Sequence, residues 1–157
     1  MPADLDFTDR KILDALQRDA SRPVAEIAAV VGISTSPCWR RINRLEQEGY
    51  ILRRVGLLDR RKVGLSFQVF TTIKMSVEGR LFQEDFVGQI NEMPEVVECY
   101  PIMGSFDFLL RILVENVDAY ERLFYERLSR LPGINEISSM VSFANVKIDS
   151  IMPVLHR

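Results

Sequence analysis

"STSPCWRRINRLEQEG", residues 34–49, sets three arginines behind a run of small hydroxyl residues and ends on glycine. On a helical wheel at about 100° per residue, Cys38, Ile42 and Leu45 fall on one narrow stripe, with Trp39 at its edge as a core-side filler. Ser36, Arg40, Asn43, Arg44 and Gln47 stand on the opposite side, with Arg41 on the far flank. The helix starts either at Ser34, with Pro37 inside the first turn, or at Ser36, with Pro37 at the first helical position. Both are sterically sound, because first-turn amides lack intrahelical partners.

Two helices are expected upstream. In "FTDRKILDALQRD" (7–19), Thr8 is positioned to cap, Phe7 and Ile12 stand as a hydrophobic staple, and Ile12, Leu13 and Leu16 make a stripe. In "RPVAEIAAVVG" (22–32), Pro23 opens the helix, Ile27, Ala28 and Val31 supply its buried face, and Gly32 ends it. Two helices joined by Val31-Gly32-Ile33-Ser34 make a helix-turn-helix. The outer face of the third helix then has chemistry suited to a DNA major groove: arginine reads guanine edges, asparagine reads adenine, and hydroxyls reach phosphates. Arg40, Asn43 and Arg44 are the expected base readers, with Ser34, Thr35, Ser36, Arg41 and Arg53 on phosphates or base edges. Alone, such a face is also what any solvated helix presents. Its position behind a helix and a glycine turn favours DNA. "YILRRVGLLDRRKVG" (50–64) alternates Ile51, Val55 and Leu57 against Arg53, Arg54 and Gly56 as a short strand or strand pair, which would make the motif winged.

Charge supports this division. Residues 1–62 carry 12 Lys and Arg against 9 Asp and Glu, residues 63–157 carry 8 against 13, and residues 40–62 alone hold 8 basic against 3 acidic. A basic module that meets an anion precedes an acidic one that does not. With 47% hydrophobic and 27% charged residues the chain has an ordinary globular composition. No opening signal pattern or membrane-length apolar stretch is present. Cys38, Cys99 and the single His156 share no ligand spacing, so neither a metal nor a disulfide framework is expected, and the setting is a reduced cytoplasm beside the nucleoid.

From residue 67 the pattern changes to strand, helix, strand, twice. "FQVFTTIKMSV", "VVECYPIMG", "FDFLLRILV" and "INEISSMVSFANVKI" read as strands, and "RLFQEDFVGQINEM" and "VDAYERLFYERLSRL" as helices, the latter with Asp118 as cap. An offset of 38 residues pairs Phe82 with Tyr120, Phe86 with Phe124, Ile90 with Leu128, Met93-Pro94 with Leu131-Pro132, Val96 with Ile134 and Glu98 with Glu136. A duplicated unit of this kind gives βαββαβ, a ferredoxin-like (ACT-like) sheet. The overall class is α+β. The expected parts are a winged helix-turn-helix over 1–52, a linker strand over 53–64, and a ferredoxin-like oligomerisation domain over 65–157. Helices cover one sheet face; the other, carrying Phe108, Leu110 and Ile112 or their alternates, stays open and invites a second copy. A two-fold dimer then presents two reading helices to two half-sites of double-stranded DNA.

These segments, in this order, resemble the Lrp/AsnC (leucine-responsive, feast/famine) family of transcriptional regulators. "LDFTDRKILDALQRDASRPVAEIAAVVGIS", "CWRRINRLEQEGYI", "LLDRRKVGL", "MGSFDFLL" and "YERLFYERLSRLPGI" carry the resemblance across nearly the whole chain. It implies dimers that assemble further into tetramers or octamers, no cofactor, and an amino acid or related metabolite bound between subunits. The implied effector site joins Met103, Gly104, Ser105, Phe106 and Asp107 to Ile137, Ser138 and Ser139 of a neighbouring dimer. Ser105 stands where the family commonly has an acidic residue, while Asp107 is retained. The alternative to such a regulator is a metabolite-binding assembly module that no longer uses DNA. An enzyme is disfavoured, because neither cysteine nor His156 has a catalytic neighbour in the sequence.

Overall fold

The structure is a computed structural model. It describes residues 5–147 and 150–155, with the side chains of Arg80 and Phe82 excepted. The chain divides into two compact units, Met1–Gly56 with Lys147–Arg157, and Leu57–Val146. The tail that the sequence groups with the second module therefore belongs with the helices.

Three helices build the first unit: α1 (Phe7–Arg18), α2 (Val24–Val31) and α3 (Thr35–Gln47). Asp6, not Thr8, caps α1. Its carboxylate accepts from the Asp9 amide at 2.7 Å, and the Asp9 carboxylate returns to the Asp6 amide at 3.3 Å. The staple fails for the same reason, since the helix begins at Phe7, and that ring lies 64% exposed beneath the Lys11 ammonium. Gly32 ends α2 at φ 82°, a conformation that glycine adopts without steric cost. Of the two possible starts for α3 the chain takes the first: Ser34 holds the cap position and Pro37 lies in the first turn. Ile12, Leu16, Ile27, Ala28, Val31, Cys38, Ile42 and Leu45 form one core. Trp39 is not part of it and is 55% exposed. Residues 150–155 lie along α1. There the Gln17 side-chain amide donates to the Met152 carbonyl at 2.7 Å and accepts from its N–H at 2.8 Å.

The expected wing strand is absent. Residues 52–59 have no regular structure, and residues 60–64 form a single turn closed by the Leu65 amide on the Arg60 carbonyl at 2.8 Å. Alternation alone does not make a strand; its backbone groups need a mate, and none lies beside this segment among the described residues.

The second unit is a four-stranded antiparallel sheet: β1 (Phe67–Met75), β2 (Val96–Pro101), β3 (Phe108–Val114) and β4 (Ile134–Ser142), in the order β2-β3-β1-β4. The helices α4 (Gln83–Asn91), entered through a 3₁₀ turn at Gly79–Phe82, and α5 (Val117–Glu126) cross between strands. Asn116 caps α5, its side chain accepting from the Ala119 amide at 2.9 Å, in place of the expected Asp118. The repeat shows in the core: Phe86, Ile90 and Met93 are buried, as are Leu128 and Leu131, with Phe124 packed alongside. Phe82, paired with Tyr120 by the repeat, lies outside the described side chains, and His156 outside the described residues. The repeat joins closely at Gly79 and Gly133: a Cβ on Gly79 would sit 2.1 Å from the Gly133 carbonyl oxygen.

The β3 pattern settles which sheet face stays open. Phe108, Leu110, Ile112 and Val114 are buried with the helices, so the alternates Leu109, Arg111 and Leu113 face away. Phe70 stands beside Arg111 and Met140 on that same face.

Candidate functional site

The expected functional residues divide between the two units, one set in each. On α3, Cys38, Ile42 and Leu45 are each no more than 2% exposed, which turns the opposite side of the helix outward. Ser34, Thr35, Ser36 and Arg40 are exposed there, Asn43 is half-buried, and Ser34 makes no capping bond through its hydroxyl. Arg40 has no ion pair among the described residues. Arg53 is exposed on the irregular segment, while its neighbour Arg54 is paired to Glu46 at 2.7 Å.

Arg41 and Arg44 are placed differently from the wheel's expectation. Arg41 donates to Asp6 at 2.6 Å and to Asp9 at 2.8 Å, and Arg44 donates to Asp9 at 2.5 Å. Asp9 is only 1% exposed. The expected base reader Arg44 therefore leans back across α1. Asp9 is the carboxylate that holds Arg44 and, first among its partners, Arg41; both guanidiniums are pushed above their ordinary range. The Asp9 amide, followed by Arg41, holds the Asp6 carboxyl below its usual value. A helical wheel places Cα positions and says nothing of where a long side chain finds a partner. The signal was present all the same: "DFTD" at 6–9 is an acidic capping-box pattern.

In the sheet unit, Met103, Gly104 and Ser105 form an exposed turn, with Gly104 at φ 147°. Phe106 and Asp107 are half-buried at its base. Asp107 locks the turn onto β1: its amide donates to the Ile73 carbonyl at 2.9 Å, and its carboxylate accepts from the Met75 amide at 2.8 Å. The carboxylate thus has a role in the fold as well as any toward a ligand.

Ile137, Ser138 and Ser139 lie on β4, where Ile137 pairs with Ile73. Ile73 pairs with Phe108 on its other side. Hence β1 runs between the turn and the β4 cluster, and at about 4.8 Å per strand they stand roughly 10 Å apart. One chain does not bring the two halves together. Alternation also splits the serines, because Ser138 pairs with Thr72 and Ser139 with Thr71. Ser139 joins a hydroxyl trio that the sequence reading missed, with Tyr120 at 2.5 Å and the fully buried Thr71 at 3.3 Å. Only tertiary contact unites residues at 71, 120 and 139. Among the described residues no group of His, Cys, Asp and Glu is placed to hold a metal, and no helix is long and apolar enough to cross a membrane.

Comparison with known proteins follows these divisions. The AsnC-type helix-turn-helix domain matches residues 5–46, and the Lrp/AsnC ligand binding domain matches residues 68–152. The glutamate uptake regulatory protein of Zymomonas mobilis is 39% identical over 150 residues, spanning 96% of this chain and 91% of that protein. An AsnC family transcriptional regulator from Agrobacterium tumefaciens superposes with a TM-score of 0.90 at 40% identity, over 96% of this chain and 97% of that one. A transcriptional regulator from Neisseria meningitidis, solved as a complex with L-methionine, superposes with a TM-score of 0.92 at 29% identity, over 98% and 99% of the two chains.

Proposed function

This chain belongs to the Lrp/AsnC family of DNA-binding transcriptional regulators, and from that premise we propose how it reads DNA and what it senses. Arg40 and Asn43 read base edges in the major groove, while Ser34, Thr35, Ser36 and Arg53 meet phosphates. The observation that carries this is the outer face of α3, where Arg40 is an exposed arginine with no ion pair among the described residues. The protein works in the cytoplasm as a dimer, closed through the open sheet face at Phe70, Leu109 and Leu113, and larger assemblies are built from that dimer. Two helices then meet two half-sites about one DNA turn apart.

The effector is an amino acid, held where Met103–Asp107 of one copy meets Ile137–Ser139 of another. Support comes from the roughly 10 Å that separates the two halves within one chain, and from the L-methionine in the Neisseria relative. Exposed carbonyls around Gly104 suit an ammonium, and the hydroxyls of Ser105 and Ser138 suit a carboxylate.

A gel-shift titration tests the DNA half. Arg40→Ala should weaken binding to a selected duplex, and unchanged affinity would remove Arg40 from the interface. Thermal shift against the twenty amino acids tests the sensing half, because a ligand that binds only the folded form raises the midpoint. A flat panel beside intact DNA binding would exclude amino-acid sensing.

A further inference from the structure

Asp9 is a buried charge with no place yet in the function. It lies in the first turn of α1, and its two oxygens are divided between two arginines of α3: Oδ1 accepts from Arg41 at 2.8 Å and Oδ2 from Arg44 at 2.5 Å. Asp6 adds a second carboxylate to Arg41 at 2.6 Å. On its other side Arg44 is flanked by Glu48, whose oxygen lies 4.0 Å from Nε, too far for a hydrogen bond; that Nε is buried without a hydrogen-bond partner among the described residues. Three carboxylates thus surround two guanidiniums, while Arg40, on the same helix, has none among the described residues. The basic segment is not uniformly basic toward DNA: two of the three arginines on α3 are neutralised from behind.

We propose that Asp9, assisted by Asp6, is a positioning residue for DNA recognition: it draws Arg41 and Arg44 back against α1, leaving Arg40 as the arginine of α3 that meets the groove. The consequence lies in sequence-independent affinity. Phosphate contacts by Arg raise affinity for every duplex alike, whereas specificity is a difference between affinities. Withdrawing two guanidiniums from the backbone lowers binding to arbitrary DNA without touching the base-reading contacts. A fold clamp that used apolar contacts in place of Asp9 would leave those arginines free to grip any phosphate.

This inference rests on the DNA-binding function proposed above, and salt dependence separates the two. Each phosphate contact contributes about 0.9 to the slope of log K against log salt, or roughly 8-fold in affinity at 0.1 M relative to 1 M salt. The probes are a duplex selected by the wild-type protein from a random pool and an unrelated duplex of equal length. Asp9→Asn keeps the shape but cannot hold two cations. It should steepen the slope on both duplexes by about 1 and tighten both several-fold, leaving the ratio between them nearly unchanged. Adding Arg44→Met to Asp9→Asn should return the slope toward the wild-type value. Should Asp9→Asn fail to fold by circular dichroism, Asp6→Asn decides, since asparagine caps a helix as well as aspartate does; it should steepen the slope in the same direction by a smaller amount. Folded variants with the wild-type slope on both duplexes would overturn the inference while leaving DNA binding in place. A wild-type protein with no salt-dependent affinity for either duplex would overturn both.

Discussion

The two units carry function in different ways. In the helical unit the proposed reading surface is one face of one helix, complete within a single chain, and its arginines are already sorted into one without an ion pair among the described residues (Arg40) and two engaged (Arg41, Arg44). In the sheet unit neither surface is complete: the turn at Met103–Asp107 and the β4 residues Ile137–Ser139 are separated by β1, and one sheet face is left without a helical layer. A site built on a rigid helix needs only its own chain. The proposed site across strand edges waits for a second copy, which would couple ligand occupancy to assembly.

Breaking the cores shows first whether the units are independent. Phe86 is fully buried in the sheet unit and packs on Phe108 with ring centroids 4.7 Å apart. Phe86→Ala should cost about 3–5 kcal/mol. In urea, the far-UV transition of the sheet unit should move to lower denaturant. Fluorescence of Trp39, the only tryptophan and a residue of the helical unit, should shift far less. Coincident shifts would mean that the units unfold as one.

The open face is next. Phe70→Glu sets like charges against each other across the proposed two-fold contact, a penalty of several kcal/mol. Sedimentation should then give the 18.1 kDa single chain. An undiminished oligomer would place the dimer contact elsewhere. Arg40→Ala should cost roughly 1–3 kcal/mol of operator affinity, and the effect should be larger than that of Arg53→Ala, whose contact is to phosphate.

The smallest effect concerns the α1 cap. Asp6→Ala removes a cap worth about 1 kcal/mol. The Asp9 amide and Arg41 hold the folded pKa of Asp6 below its unfolded value, so its contribution is fully present above the ordinary carboxylate range near pH 4. It is lost as pH falls through the folded value. Wild-type and variant melting curves, separated at pH 7, should therefore converge as pH falls below the ordinary carboxylate range. A constant gap would show that the Asp6 charge contributes nothing to the cap.

Local patterns were legible wherever one periodicity decided the outcome. Cys38, Ile42 and Leu45 had to face inward, Gly32 had to end α2, and the 38-residue offset placed Ile90 and Leu128 in equivalent core positions. What was missed depends on partners distant in sequence. Arg44 found Asp9 35 residues away, Ser139 found Tyr120 and Thr71, and Met152 found Gln17. The strand expected near residue 53 fails for the opposite reason: its alternation is real, but no mating edge lies beside it among the described residues.

The stoichiometry of the DNA complex tests the central claim, that the reading helix of α3 acts in pairs held together by the sheet units. Sedimentation of the protein on a duplex with two half-sites, and on one with a single half-site, should give two chains and tight binding on the first and markedly weaker binding on the second. One chain bound with equal strength to either duplex would contradict it.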